Sequence, residues 1–104
     1  MNSIDFVYEK YQRLVVHLCY RKVRTNGDFL IVMNDNLETF YLTATAKEMI
    51  ESISTGISIA DLYKKFQEDY EVDSIILKSD IIDFIKDMQW KGVVSLNVSN
   101  SVTN

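Results

Sequence analysis

"LETFYLTATAKEM", Leu37 to Met49, changes its periodicity in the middle. The first half alternates along Leu37–Leu42 as a strand does, putting successive side chains on opposite faces. The second half reads as a helix. Thr45 and Glu48 have capping-box spacing, Thr43 is a competing cap, and Ala46, Met49, Ile50 and Ile53 fall on one helical stripe. Gly56 supplies the stop. A strand thus feeds a helix with almost no connection, and this junction decides the fold.

Upstream, "TNGD" carries Asn26-Gly27, the strongest short hairpin signal. It predicts a strand over Leu18–Arg24, a turn, and a strand over Asp28–Met33. A second turn at "NDN", Asn34–Asn36, leads into Leu37–Leu42, giving a three-stranded antiparallel meander. Downstream, Ser58 and Asp61 repeat capping-box-like spacing with Ile57 and Leu62 as a hydrophobic staple. That helix carries the stripe Ile59, Leu62, Tyr63, Phe66 and Tyr70. A third helix starts near Asp73 with Val72 and Leu77 as its staple, draws its buried face from Ile76, Ile81, Phe84, Ile85 and Met88, and ends at Gly92. "VVSL", Val93–Leu96, reads as a further short strand. At the N-terminus, Ile4, Val7, Tyr8, Tyr11, Leu14, Val15 and Leu18 have helical spacing, although Leu14–Tyr20 also suits a strand. The expected class is α+β: a winged helix-turn-helix of order β-β-β-α-α-α with an extra N-terminal helix. One domain over residues 1–96 is expected, with 1–17 as an N-terminal extension and 97–104 as a polar tail.

Composition narrows the function. The chain has 104 residues, one cysteine, no proline and a formal charge of −4. It contains no run long enough to span a membrane and no signal-peptide layout, so a reducing, cytoplasmic setting is expected, and the "NVS" sequon at Asn97 is idle. An acidic chain is a poor start for a nucleic-acid binder. Its only basic cluster, Arg21, Lys22 and Arg24, reads as a solvated strand face. The third helix would read base edges poorly as well. It carries Asp73, Asp80, Asp83 and Asp87 against Lys78, Lys86 and Lys91, and opens on Ile75, Ile76 and Leu77.

Catalytic chemistry is scarce. His17 and Cys19 are the only residues of their kinds and would share a strand face, but a Cys–His nucleophile needs an orienting group and an oxyanion site. They read as an ordinary strand pair. Two such ligands make no zinc site. The three aspartates Asp80, Asp83 and Asp87 alternate with lysines and read as a solvated face rather than an acid–base pair. The glycines are spent on a turn and two helix ends. No enzyme activity, cofactor or metal is expected.

From Asp28 onward the chain resembles the PqqD-like family, the small domains also called RiPP recognition elements. The resemblance rests on "FLIVMND", "FYLTATAKEMI", "GISIADLYKKF", "EDYEVD" and "SDIIDFIKDMQWKGVV", in that order, over about two-thirds of the chain. The family's usual asparagine after the strand leucine is Thr43 here, which can still cap a helix. The resemblance implies a non-catalytic peptide chaperone of natural-product biosynthesis. Such a protein binds the leader segment of a ribosomally made precursor by strand addition and presents it to a modifying enzyme such as a radical enzyme, protease or cyclase. It implies a site made of Leu37, Glu38, Thr39, Phe40 and Tyr41 on the strand, with Leu77, Lys78, Ile81 and Phe84 on the third helix. Leu77 is expected to be partly exposed. Chain length suggests a separate subunit. The competing reading is a winged-helix transcriptional regulator, which the acidic surface disfavours; no nucleic acid and no membrane are expected as partners.

Overall fold

The computed structural model describes residues 3–53, 56–69 and 71–98. In chain order the elements are α1 (Ser3–Tyr11), β1 (Val15–Leu18), β2 (Lys22–Asn26), β3 (Phe29–Met33), β4 (Thr39–Leu42) and α2 (Ala44–Ile53). They continue with β5 (Ile57–Ser58), α3 (Ile59–Asp69), α4 (Ser74–Trp90) and β6 (Val94–Asn97). The described residues form an α+β fold with four helices and two small antiparallel sheets, ordered β2-β3-β4 and β5-β1-β6. The meander and the three helices that follow it occur in the expected order. The winged-helix arrangement is matched only in part, because α1, β1, β5 and β6 frame it and build the second sheet.

The strand expected over Leu18–Arg24 is two strands in different sheets. β1 is apolar, with Val16 fully buried, whereas β2 is exposed at every position. The chain crosses between layers at Cys19–Arg21: the Cys19 N–H donates to the Val93 carbonyl at 2.9 Å and the Arg21 N–H to that of Met33 at 2.7 Å. The hairpin turn also shifts by one residue. Asn26 pairs with Phe29, leaving Gly27-Asp28 as the connection, and only Gly27 has positive φ (63°). Glycine at the first central position is the type II′ pattern rather than type I′.

The helices start where side chains satisfy their first N–H groups. Thr43, not Thr45, caps α2: its Oγ1 accepts from the Ala46 N–H at 3.4 Å. Ser58 caps α3 through the Asp61 N–H at 3.1 Å, and Asp73 caps α4 through the Ile75 N–H at 2.8 Å. Met49, Ile50 and Ile53 of α2, Ile59, Leu62 and Phe66 of α3, and Leu77, Ile81, Ile82, Ile85 and Met88 of α4 are buried in one core with Leu30, Val32 and Leu42. Ile76 stands 55% exposed and Val72 41%, so neither joins that core as expected. Tyr70 and residues 99–104 of the expected tail lie outside the described residues; Asn97 closes β6.

Residues 3–17 are built into this core. The Tyr8 ring lies 5.4 Å from that of Tyr63, and Lys78 reaches from α4 to Asp5 at 3.2 Å. Both readings of the N-terminus hold, each for its own part: helix to Tyr11, strand from Val15.

Candidate functional site

Among the described residues β4 is an edge strand, hydrogen-bonded to β3 alone within its sheet. Which of its main-chain groups are free follows from the ladder. The Asn34 N–H donates to the Glu38 carbonyl at 3.0 Å, so the pair next to Met33↔Thr39 is a bonded one. Bonded and non-bonded pairs alternate along an antiparallel ladder. Phe40 and Leu42 therefore bond β3, while Thr39 and Tyr41 turn their N–H and C=O groups to the open edge. The same alternation accounts for the Met33 carbonyl facing β2, where it accepts from Arg21. On the side-chain side, Leu42 is buried, Phe40 is half-buried against the core, and Tyr41 is 72% exposed on the opposite face.

The strand is shorter than Leu37–Leu42. Leu37 sits in the turn with φ 67°, a left-handed conformation that costs a leucine about 1–2 kcal/mol. Its N–H donates to the Asn34 carbonyl at 3.1 Å, and its side chain is 63% exposed. Glu38 has its N–H on the Asn34 Oδ1 at 3.0 Å. Both therefore belong to the β3–β4 turn, and Glu38 has no main-chain group to lend to a neighbouring strand.

Asn34 holds this turn to α4. Only 3% exposed, it accepts from the N–H groups of Asn36 (2.9 Å) and Glu38 through Oδ1. Its Nδ2 donates to Glu38 Oε1 at 2.9 Å and to the Lys91 carbonyl at 2.7 Å. The last contact fixes the C-terminal end of α4 beside the start of β4. Gly92, at φ 74°, lies so close that a Cβ there would come 3.3 Å from that of Asn34. Lys91 in turn pairs with Asp87 at 2.8 Å and places its ammonium 5.5 Å from the centre of the Phe40 ring. Phe84 is seven residues before Lys91, on the same flank of the helix, and is half-buried. Lys91 thus borders Phe40 on one side of the edge, while Phe84 packs against the common core.

Three of the expected helix residues stand elsewhere. Leu77 is 5% exposed and Ile81 0%, so the expected partial exposure of Leu77 is not found; both belong to the common core. Lys78 faces α1, with its ammonium 4.9 Å from the Tyr8 ring and 5.6 Å from that of Tyr63. Sequence reasoning missed Asn34 and Lys91. The signal for Asn34 was present, because asparagine in a turn bonds backbone N–H groups two residues on.

His17 and Cys19 are held by different neighbours. The His17 ring fills the space beside Gly56, where a Cβ would come within 2.8 Å of it, and the Cys19 thiol points at the Gly92 carbonyl at 3.5 Å. Burial, with Asp35 adding to it, pushes the Cys19 thiol up, the opposite of what a nucleophile needs. Among the described residues no cluster of His, Cys, Asp and Glu could hold a metal, and no helix is long and apolar enough to cross a membrane.

The family model for coenzyme PQQ synthesis protein D (PqqD) matches residues 30–94, well over half of the chain. The chain belongs to the PqqD family. The matched span starts within β3 and ends at the first residue of β6, so it holds the whole β4 edge and the helix beside it. PqqD-family members are non-catalytic accessory proteins that bind peptides in PQQ and related ribosomal-peptide biosynthesis, partnering a precursor peptide and a modifying enzyme. Nothing in the match points to a transcriptional regulator. No curated protein and no solved structure matches the chain.

Proposed function

We propose that this PqqD-family protein binds the leader segment of a ribosomally made precursor peptide as a fourth strand beside β4 and presents it to a modifying enzyme. The observation that carries this reading is the open edge, with Thr39 and Tyr41 offering N–H and C=O groups beside the half-buried Phe40. Strand addition draws affinity from main-chain bonds and selectivity from alternate side chains. On this reading, side chains on one face of the leader meet Phe40, Phe84 and Lys91, and those on the other lie beside Thr39 and Tyr41. The exposed, strained Leu37 stands at the entrance. Leu77, Ile81 and Lys78 do not touch the peptide.

The meander and α2–α4 then act as a winged helix-turn-helix whose third helix flanks a peptide instead of a DNA groove. Residues 1–96 work as one domain, with a radical enzyme, protease or cyclase as the enzyme partner and the cytoplasm as the setting. Calorimetric titration with synthetic leaders tests the reading. A matched leader should bind with a dissociation constant near 1 μM, or about 8 kcal/mol. Absence of binding to every leader, or tighter binding to duplex DNA at physiological salt, would overturn it.

A further inference from the structure

The meander has a second face, turned away from the core. The register puts two rows across it, Lys22–Met33–Thr39 and Arg24–Ile31–Tyr41. With Tyr20 at one side they line an open hollow of about 660 Å³. Among the described residues no acidic side chain borders it, although acidic residues outnumber basic ones in the chain. Among the described residues, the ion pairs are Lys78–Asp5 and Lys91–Asp87; Arg21, Lys22 and Arg24 pair with no carboxylate. Ile31 and Met33 are only half-buried and Tyr41 is 72% exposed, so the face combines an apolar centre with an uncompensated cationic side.

We infer that this face docks an acidic polypeptide segment of a partner protein, one that brings an apolar side chain to Ile31 and Met33 and carboxylates to Lys22 and Arg24. Charge of opposite sign is the complement such a surface selects. Arg, Tyr and Met are also the residues that protein interfaces favour. A nucleic acid fits less well. Three cations neutralise few phosphates, and the apolar column runs through the middle where a phosphate backbone would have to lie. A second copy of this chain is no better, since its own β2 edge would bring like charge to like. The two surfaces meet at Thr39 and Tyr41, but the inference does not rest on strand addition at β4, because its cations lie on β2 and the shifts that decide it are those of residues 22–24 and 31–33.

The test uses the full chain, isotope-labelled. The probes are a twelve-residue peptide of Glu, Asp and two Phe, its Lys-substituted counterpart, and a single-stranded oligonucleotide. The acidic peptide should shift the amides of residues 22–24, 31–33 and 39–41 saturably. Affinity should fall at least fivefold in the Lys22→Glu/Arg24→Glu double variant, and similarly when salt rises from about 0.05 to about 0.3 M. Both side chains are exposed, so the variant folds, and an unchanged thermal midpoint verifies this. It should bind a leader like the parent chain, which separates failure here from failure of the β4 reading. No saturable shift, equal binding of the Lys counterpart, stronger binding of the oligonucleotide, or the same shifts on raising the protein's own concentration would each overturn the inference.

Discussion

Removing the Asn34 side chain should destabilise the protein by roughly 2–4 kcal/mol, far more than expected for a turn residue. The figure follows from its four hydrogen bonds. In Asn34→Ala the Asn36 and Glu38 N–H groups lie in an exposed turn and recover water, so each loses about 0.5 kcal/mol. The half-buried Lys91 carbonyl recovers less, and together with the lost Glu38 bond accounts for roughly 1–3 kcal/mol more. For a domain of this size the total corresponds to a fall in thermal midpoint of roughly 10–25 °C. Asn34→Asp divides the effect, because it keeps the accepted bonds, loses the donated ones and sets a carboxylate beside Glu38. Its deficit should ease on acidification through the carboxylate range. Urea unfolding followed by far-UV circular dichroism measures both; Trp90 is 90% exposed and a poor reporter of burial. Asn36→Ala, whose side chain is exposed, should be neutral. If Asn34→Ala lies within about 0.5 kcal/mol of the parent, the turn does not hold α4 and the account of the edge is wrong.

Thr43→Ala should cost roughly 0.5–1 kcal/mol in chemical unfolding through loss of the α2 cap, whereas Thr45→Ala should be neutral or slightly stabilising. Leu77→Ala should cost roughly 2–4 kcal/mol and the neighbouring Ile76→Ala less than about 0.5, because Leu77 is in the core and Ile76 is exposed. Tyr8 is pushed up to about 12, first by burial and then by Tyr63 and Asp61. A phenol that is harder to ionise when folded adds stability that is whole below its unfolded value of 10.0 and is lost as pH rises towards 12. Thermal midpoints should therefore fall over that window, and Tyr8→Phe should fall less.

Much of this was legible locally. Gly56, Gly92, Ser58 and Asp73 mark helix ends through chemistry confined to a few residues, and the alternation across Thr39–Leu42 fixed which face is buried. Strands at Leu14–Tyr20 and Val93–Leu96 were suggested locally, but their joining with β5 into a second sheet was not legible. Its strands are only two to four residues long, and Val15 pairs with Ser58 and Asn97, partners no local period can indicate. The one-residue shift at Gly27 was not legible because "NGD" offers two tight turns, and in either register Val23 faces a buried residue, Leu30 or Val32, so the hydrophobic pattern does not choose between them. Among the candidate site residues, the exposure of Thr39 and Tyr41 followed from strand alternation, whereas the burial of Leu77 did not follow from local pattern. Leu77 lies in the first turn of α4, where a buried and a half-exposed leucine have the same local pattern, and its 5% exposure follows from packing in the common core.

On the proposed reading, β4 accepts a peptide strand through Thr39 and Tyr41. Amide hydrogen exchange of the isolated protein, free and saturated with a leader that binds it, tests this most directly. In the free protein the Thr39 and Tyr41 N–H groups should exchange fast while those of Phe40 and Leu42, bonded to β3, exchange slowly. Leader binding should slow Thr39 and Tyr41 by at least about tenfold, ~1.4 kcal/mol of added protection. The amides of β2, at the other edge of the sheet, should not change. Unaltered exchange at Thr39 and Tyr41 under saturating leader, or protection appearing along β2 instead, would contradict the account.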